Sequence, residues 1–160
     1  MGCGKIRSPI SKFPDPRYLN FLQKMCYDLG IEKQVKFWGF VSEKEKFELL
    51  GQSHILINPS VREGWGMVVI EAASMGTPTI AYNVAGLKDS VINYKTGILC
   101  NNMAPANLAE EILKLIDDEK RLHQMSKQAT AWSKKFRWHE SVAKSHFNYR
   151  RSFFYRLAPD

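Results

Sequence analysis

The sequence predicts an α/β protein in which a parallel sheet is covered by helices on both faces. Short apolar segments of strand length recur along the chain, and segments with helical periodicity separate them. Glycine, proline or asparagine stands at most of the joins. Strands that alternate with helices at short intervals are typical of parallel sheets. Ligands bind such sheets beyond the carboxyl ends of the strands, so we expect a site at that edge.

The individual elements follow from periodicity and from capping residues. Asp15 and Pro16 begin the first helix and Gly30 ends it. Ser42 and Glu45 form a capping box at the start of the second. The predicted strands are residues 35–40, 54–58, 77–82 and 97–100; the predicted helices are 16–29, 42–52, 66–76, 86–93, 105–118, 120–136 and 138–156. Leu108, Ile112 and Leu115 share the apolar face of the helix over 105–118.

Length and composition indicate one soluble globular domain. The chain has 160 residues, of which 44% are hydrophobic and 24% charged. Its apolar runs are shorter than the ~20 residues of a membrane span. Cys3, Cys26 and Cys100 show no metal-binding spacing, so we expect reduced thiols in a cytoplasmic protein.

The charge is strongly basic, with a net value of +7. Lys and Arg are concentrated between Lys120 and Arg156, where Glu140 is the one acid. This excess suits a nucleotide, an anionic membrane surface or nucleic acid, and a solvated helical face is the alternative. We predict no nucleic-acid partner, because no nucleic-acid-binding motif is present.

The most informative stretch runs from Asn58 to Gly76 and reads NPSVREGWGMVVIEAASMG. A predicted strand ends at Asn58, a glycine-containing loop follows, and a helix begins near Gly66. Glycines let the backbone pass close to a ligand. The N–H groups of Gly66, Met67 and Val68 form an anion site that the helix dipole strengthens, and a diphosphate fits there.

Two carboxylates flank this anion site. Glu71 is the one charged residue between Gly66 and Gly76, and its apolar surroundings predict a buried helix. A lone buried carboxylate costs several kcal/mol unless donors satisfy it, and ligand hydroxyls are donors. Glu63 lies on the other side, so the pair could bracket the diphosphate of a nucleotide-sugar. The alternatives are a salt bridge or backbone bond for Glu71 and an exposed loop acid for Glu63.

These residues resemble the signature of the family 4 glycosyltransferases, written PS…EGFG…EA…G.PV. The matching positions are Pro59-Ser60, Glu63-Gly64-Trp65-Gly66, Glu71-Ala72 and Gly76-Thr77-Pro78. The stretch from Asn83 to Leu87 and the pair Thr96-Gly97 resemble turns of the family, and Phe136-Arg137-Trp138 resembles its FSW segment, although ordinary packing would also explain that segment. Trp65 replaces the usual Phe, and Ala85 stands where Gly or Pro is common. The resemblance covers about residues 2–138.

The resemblance implies a Rossmann-like, C-terminal donor-binding domain of the GT-B fold. Residues 1–136 would form part of that domain, and residues 137–160 a C-terminal helical extension. The enzyme would be a retaining, hexosyltransferase-type glycosyltransferase with a UDP- or GDP-linked sugar donor. Glu63 would be the catalytic residue that binds the sugar, and Glu71 would bind the ribose. The implied donor-binding residues are Gly64, Trp65, Gly66, Met67, Val68, Glu71, Phe40 and Val41. The departing phosphate would help to deprotonate the acceptor, and neither metal nor organic cofactor is expected.

The resemblance also implies strand order 3-2-1-4-5-6, with the first strand, most of the second and the acceptor-binding domain missing. We therefore expect the isolated chain to be inactive and poorly stable. The alternative is a non-catalytic nucleotide-sugar-binding module or fragment.

The basic tail suggests a partner surface. Its aromatic residues, Trp138, Phe147, Tyr149, Phe153, Phe154 and Tyr155, interleave with Arg150, Arg151 and Arg156. This pattern is typical of an interfacial helix on the inner face of a membrane, where a lipid-linked acceptor would lie. Docking on the missing acceptor domain is the alternative.

Overall fold

The computed structural model describes residues 16–136, which divide into two compact units between Lys46 and Phe47. The predicted helix over 138–156, the aromatic tail residues and Cys3 lie outside the described residues. Between residues 16 and 136, no helix is long and apolar enough to cross a membrane.

The first unit contains the first helix, α1 (Pro16–Asp28). Pro16 occupies its first position, as predicted, and Gly30 follows its end with a φ of 67°. The Lys24 ammonium lies 2.9 Å from the Asp28 carboxylate, one helical turn along. Tyr18 and Phe21 stack on each other and are each 54% exposed.

The strand predicted over residues 35–40 is not present, and that prediction is wrong. A strand exists where its N–H and C=O groups bond a neighbouring strand, and no segment within residues 16–136 pairs with this one. The Lys36 ammonium instead lies 3.4 Å from the ring centroid of Trp38. Phe40 is 88% exposed, so this apolar side chain is not part of a core within its unit.

The second helix, α2 (Glu43–Gln52), begins with the predicted capping box. The Ser42 N–H and hydroxyl both donate to the Glu45 carboxylate, at 2.8 and 2.7 Å. The Glu45 N–H donates to the Ser42 hydroxyl at 3.3 Å. These hydrogen bonds satisfy backbone donors that a helix start otherwise leaves open.

The second unit is built on a parallel sheet of three strands. These are β1 (Leu56–Asn58), β2 (Thr79–Tyr82) and β3 (Gly97–Cys100), in the order β1-β2-β3. The parallel sheet and the adjacency of these strands confirm the prediction. β2 starts later than expected because Pro78 has no N–H to donate to a ladder.

Helices cover both faces of this sheet, as predicted. They are α3 (Met67–Ser74), α4 (Leu87–Ser90), α5 (Pro105–Asp117) and α6 (Glu119–Ser133). One core cluster joins Ile80 and Ile98 to Leu108 and Leu115 of α5 and to Met125 of α6. On the other face, residues of α3 and α4 pack against Ala81 and Leu99.

The helices α3 and α4 are both shorter than the sequence predicts. Gly66 and Gly76 have φ values of 71° and 82°, so both lie outside α3. α4 ends at Ser90 because Val91 adopts an extended conformation, with φ −113° and ψ 124°. The Asn93 side chain then accepts a hydrogen bond from the Leu99 N–H at 2.8 Å.

Candidate functional site

Polar residues lie at the carboxyl ends of all three strands. Asn58, which ends β1, is buried, and its side chain accepts a hydrogen bond from the Ser60 N–H at 3.1 Å. Asn83 follows β2 and donates its side-chain amide to that of Asn101, which follows β3, at 2.6 Å. These side-chain hydrogen bonds fix the backbone where the chain leaves each of the three strands, at the edge of the sheet where a ligand is expected.

Gly66 turns the chain into α3. Its left-handed conformation, φ 71° and ψ 55°, is one that residues with a side chain rarely adopt. A Cβ at this position would lie 2.7 Å from a Leu87 methyl group and 3.3 Å from the Ser90 hydroxyl. The backbone therefore sits directly on α4 at this point, as only glycine permits.

The start of α3 carries no side-chain cap from any residue between 16 and 136. The Val69 N–H bonds the Gly66 carbonyl at 2.9 Å, whereas the N–H groups of Met67 and Val68 come before the first intrahelical bond. Val68 packs partly buried against the core, and the Met67 side chain is 55% exposed. The first turn thus presents backbone donors and a positive dipole end at the carboxyl edge of the sheet.

The loop before Gly66 rests on the turn at Gly86. Gly86 has φ 85° and ψ −52°. A Cβ there would lie 2.6 Å from the Glu63 carbonyl oxygen and 2.7 Å from the Gly64 carbonyl carbon, and it would also clash with the Gly64 carbonyl oxygen. The sequence indicates a turn between Asn83 and Leu87, but not that this turn supports the Glu63 loop.

Glu63 is partly buried and lies in this loop. Its carboxylate accepts a hydrogen bond from the Gly64 N–H at 3.1 Å. The next residue, Gly64, is exposed, and a Cβ there would meet no atom of the described residues within 4 Å. The carboxylate is therefore held close to the start of α3 on a loop that is open on one side.

Glu71 is partly exposed rather than buried, which corrects the expectation drawn from its apolar neighbours. α3 buries a narrow stripe, Val69, Ala72 and Ala73, against the rest of the unit. Glu71 lies beside that stripe and not within it. The apolar character of a helix eight residues long is an unreliable guide, because Met67 is exposed as well.

The predicted site residues are thus only partly brought together. Glu63, Gly64, Trp65, Gly66, Met67 and Val68 form one continuous loop and helix start at the sheet edge, and Glu71 follows on α3. Phe40 and Val41 belong to the first unit, and their role at a nucleobase stays a prediction. Residues 16–136 hold no cluster of three or more side chains suited to a metal ion.

Phe136, which follows α6, lies against this loop, and Trp132 of α6 lies against Phe136. The Trp65 ring meets the Phe136 ring edge to face, with centroids 4.9 Å apart, and Phe136 meets Trp132 in the same way at 4.9 Å. Phe136 belongs to the segment with a family resemblance, but Trp132 has no signal in the sequence beyond its aromatic character. Its indole N–H donates to the Ser90 carbonyl at 3.0 Å.

A groove of about 1000 Å³ opens at the opposite edge of the sheet, before β1 and β2. His54, Pro78, Lys120 and His123 are among its lining residues. None of the predicted site residues lines it, so this groove and the predicted chemistry lie at different ends of the strands.

The family model of the Glycosyl transferases group 1 matches residues 3–132, so the chain belongs to this family of glycosyltransferases. This agrees with the resemblance seen in the loop and helix that carry Glu63 and Glu71.

The curated relatives that the chain matches are considerably longer than this chain. The D-inositol 3-phosphate glycosyltransferase of Corynebacterium glutamicum is 31% identical over 119 residues, which is 74% of this chain and 28% of that protein. The D-inositol 3-phosphate glycosyltransferase 1 of Catenulispora acidiphila is 35% identical over 121 residues, covering 76% and 29%. The chain therefore spans less than a third of the length of these relatives.

Solved structures share the fold. The sucrose-phosphate synthase of Thermosynechococcus elongatus matches with a TM-score of 0.80 at 25% identity, over 87% of this chain and 36% of that one. HepE of Anabaena, solved in complex with UDP, matches with a TM-score of 0.77 at 23% identity, over 86% and 37%. The Rossmann-like parallel sheet flanked by helices is confirmed.

Proposed function

We propose that this chain forms the donor-binding domain of a glycosyltransferase that transfers a sugar from a nucleotide-sugar with retention of configuration. The observation that carries the proposal is the uncapped first turn of α3, which the left-handed Gly66 places at the carboxyl edge of the parallel sheet. Open backbone donors at a helix start suit a diphosphate, which every nucleotide-sugar of this kind contains.

The diphosphate would bind the N–H groups of Met67 and Val68. Gly66 sets the direction of this turn, because its left-handed backbone lies directly on α4 and leaves no room for a side chain. The exposed Gly64 leaves space beside the same turn. This arrangement favours a doubly charged ligand over a neutral one, because the positive end of the helix dipole points to the site.

The two carboxylates would select the groups at either end of the diphosphate. Glu63 would accept hydrogen bonds from hydroxyls of the transferred sugar, and Glu71 from the ribose. Glu71 is five residues beyond Gly66, or roughly 7–8 Å along the helix at ~1.5 Å per residue, which suits a ribose on the far side of the phosphates. Glu63 and Glu71 are both partly exposed residues, so neither is enclosed in the core of the unit.

In the transfer step, the acceptor oxygen would bond the anomeric carbon on the face from which the phosphate leaves. The bond between that carbon and the phosphate oxygen breaks, and the departing phosphate takes the proton of the acceptor hydroxyl. Glu63 would hold the sugar during this step, so no protein nucleophile is required. Anabaena HepE has been solved with UDP and glucose, and this supports UDP-glucose as the first donor to test, with a GDP-linked sugar as the alternative.

Calorimetric titration of the 160-residue chain with UDP, GDP and UDP-glucose tests the proposal. Loss of a hydrogen bond to a charged group costs about 1.5–3 kcal/mol, or roughly a ten- to hundredfold rise in Kd. Glu71→Gln should weaken the binding of both UDP and UDP-glucose by that factor. Glu63→Gln should leave UDP affinity unchanged and remove the extra affinity that the glucose provides.

Glu110→Gln is the matched control. Glu110 is an acid on α5 whose carboxylate lies 2.7 Å from the Lys114 ammonium, away from the loop. It should bind both ligands like the wild type. Unchanged affinity for both ligands in both site variants would contradict the model in which one carboxylate binds on each side of the diphosphate.

A lipid-linked acceptor at the inner face of a membrane is the second part of the proposal, and it depends on the basic tail. The tail residues lie outside the described part of the chain, so the sequence alone supports it. Co-sedimentation with vesicles of neutral and of anionic lipid tests it. Binding that does not depend on anionic lipid would favour the alternative, docking on an acceptor-binding domain.

A further inference from the structure

The Glu63 loop touches the C-terminal end of α6 through aromatic rings. Phe136 lies between Trp65 of the loop and Trp132 of α6, with both ring pairs edge to face at 4.9 Å. Such pairs attract beyond the area they bury, because the positive edge of one ring meets the negative face of the other. The preference for this angle also restricts the orientation of Trp65.

The helix behind Phe136 is itself firmly held. Met125 of α6 is 2% exposed and belongs to the core cluster. A Cβ on Gly76, just after α3, would lie 3.2 Å from the Ser126 hydroxyl, so α6 packs closely against that end of α3. The Trp132 indole fixes the other end of α6 to the Ser90 carbonyl of α4.

These contacts connect α6, α4 and the Glu63 loop to one another around the start of α3. α6 bonds α4 through Trp132, and α4 supports Gly66 through Leu87 and Ser90. The chain then leads back from Gly66 to Trp65, whose ring returns to α6 through Phe136. The loop is thereby held from two directions, by backbone contact at Gly86 and by the Phe136 ring.

We propose that Phe136 is a positioning residue, which fixes the Glu63 loop through Trp65 and so determines how the transferred sugar is held. Gly64 lies in open space and Gly66 has no side chain, so Trp65 is the loop's side-chain anchor between them. The proposal rests on the proposed function for its consequence at the sugar, but the mechanical role of Phe136 is separate. Phe136 makes no contact with the donor itself in this scheme.

Hydrogen–deuterium exchange of the ligand-free chain tests the mechanical role directly. Phe136→Leu keeps an apolar side chain and removes the ring. The Gly64 amide, which donates to the Glu63 carboxylate, and the amide of the buried Gly66 should exchange roughly two- to tenfold faster, the factor that corresponds to an aromatic pair. Phe136→Tyr keeps the ring and should restore slow exchange.

Leu122→Ala is the control for a general loosening of α6. Leu122 packs against the core from the same helix and lies away from the loop. It should lower the melting temperature without selectively exposing residues 62–66. Equal exchange in Phe136→Leu and Leu122→Ala would overturn the positioning role. The double variant Trp65→Leu/Phe136→Leu should exchange no faster than either single variant, and additive effects would likewise overturn it.

Titration with UDP and UDP-glucose separates this proposal from the proposed function. Phe136→Leu should keep the UDP affinity within about twofold and lose several-fold of the preference for UDP-glucose over UDP. If Phe136→Leu speeds exchange in the Glu63 loop but leaves the preference for UDP-glucose over UDP unchanged, the positioning role is supported and the assignment of Glu63 to the sugar is overturned. An unchanged loop would overturn the positioning role and leave that assignment intact.

Discussion

Gly86→Ala should be the most damaging single methyl addition near the candidate site. The backbone of Gly86, at φ 85° and ψ −52°, lies in a region that L residues rarely adopt. An alanine there carries a conformational cost of about 1–3 kcal/mol. Its methyl group would also press on the Glu63 carbonyl oxygen, 2.6 Å away, and on the Gly64 carbonyl group.

The clash adds to the conformational cost, because the atoms in the way are backbone and cannot rotate aside. Forcing an extra methyl group into a packed site costs about 1–3 kcal/mol. We therefore expect the free energy of unfolding to fall by about 2–6 kcal/mol, which is a large part of the roughly 5–15 kcal/mol typical of a domain. Urea denaturation followed by far-UV circular dichroism measures it.

Substitutions at two other glycines allow the conformational cost to be measured apart from the steric clash. Gly30 has a φ of 67°, and a methyl group added there would meet no described atom within 4 Å, so Gly30→Ala should show the conformational cost alone, about 1–2 kcal/mol. Gly64 has neither positive φ nor a close neighbour, and Gly64→Ala should be neutral or stabilising by up to about 1 kcal/mol. If Gly86→Ala unfolds at the same urea concentration as Gly64→Ala, the loop does not rest on Gly86 as described.

Three further predictions concern residues away from the loop. Thr79→Val should raise the melting temperature by several degrees, because the buried Thr79 hydroxyl has no hydrogen-bond partner among the residues that the structure describes; a lower melting temperature would contradict this. The hydrogen bonds from Ser42 lower the pKa of Glu45, so the capping box should stabilise the fold above the unfolded-state pKa and lose that contribution as the pH falls through the folded-state pKa. NMR titration should show the Glu45 pKa rising toward its usual range in Ser42→Ala, which removes the hydroxyl donor and keeps the backbone N–H donor, and an unchanged pKa would refute the link. Burial, with a smaller contribution from the charge of Glu111, raises the pKa of the Cys100 thiol. Iodoacetamide should therefore label Cys26 well before Cys100, which peptide mapping would show. Equal labelling would argue against a buried Cys100.

Local rules are reliable where a single element carries its own signal. The Ser42 and Glu45 capping box forms as predicted, since both partners lie three residues apart on one helix turn. The strand over Gly97–Cys100 is predicted with its boundaries, because glycine precedes a short apolar run and polar residues follow it. The apolar face of α5 is predicted from helical spacing, and Leu108 and Leu115 are buried in the core.

The same rules fail where a partner decides the outcome. The segment over residues 35–40 has the composition of a strand, but strand formation depends on a neighbour that supplies hydrogen bonds. The apolar neighbours of Glu71 predict its burial, but burial depends on which side of α3 faces the core. Neither property is encoded within a window of about ten residues.

The sequence by itself determined the class of fold, the family and the stretch that carries the candidate site. That stretch is recognised from the spacing of its glycines, Gly64 and Gly66, and of its carboxylates, Glu63 and Glu71. Spacing along a chain is visible without coordinates. Only the tertiary structure decided what supports that stretch. Gly86 and Phe136 are far from the loop in sequence, and a contact between distant residues depends on how the sheet and helices pack.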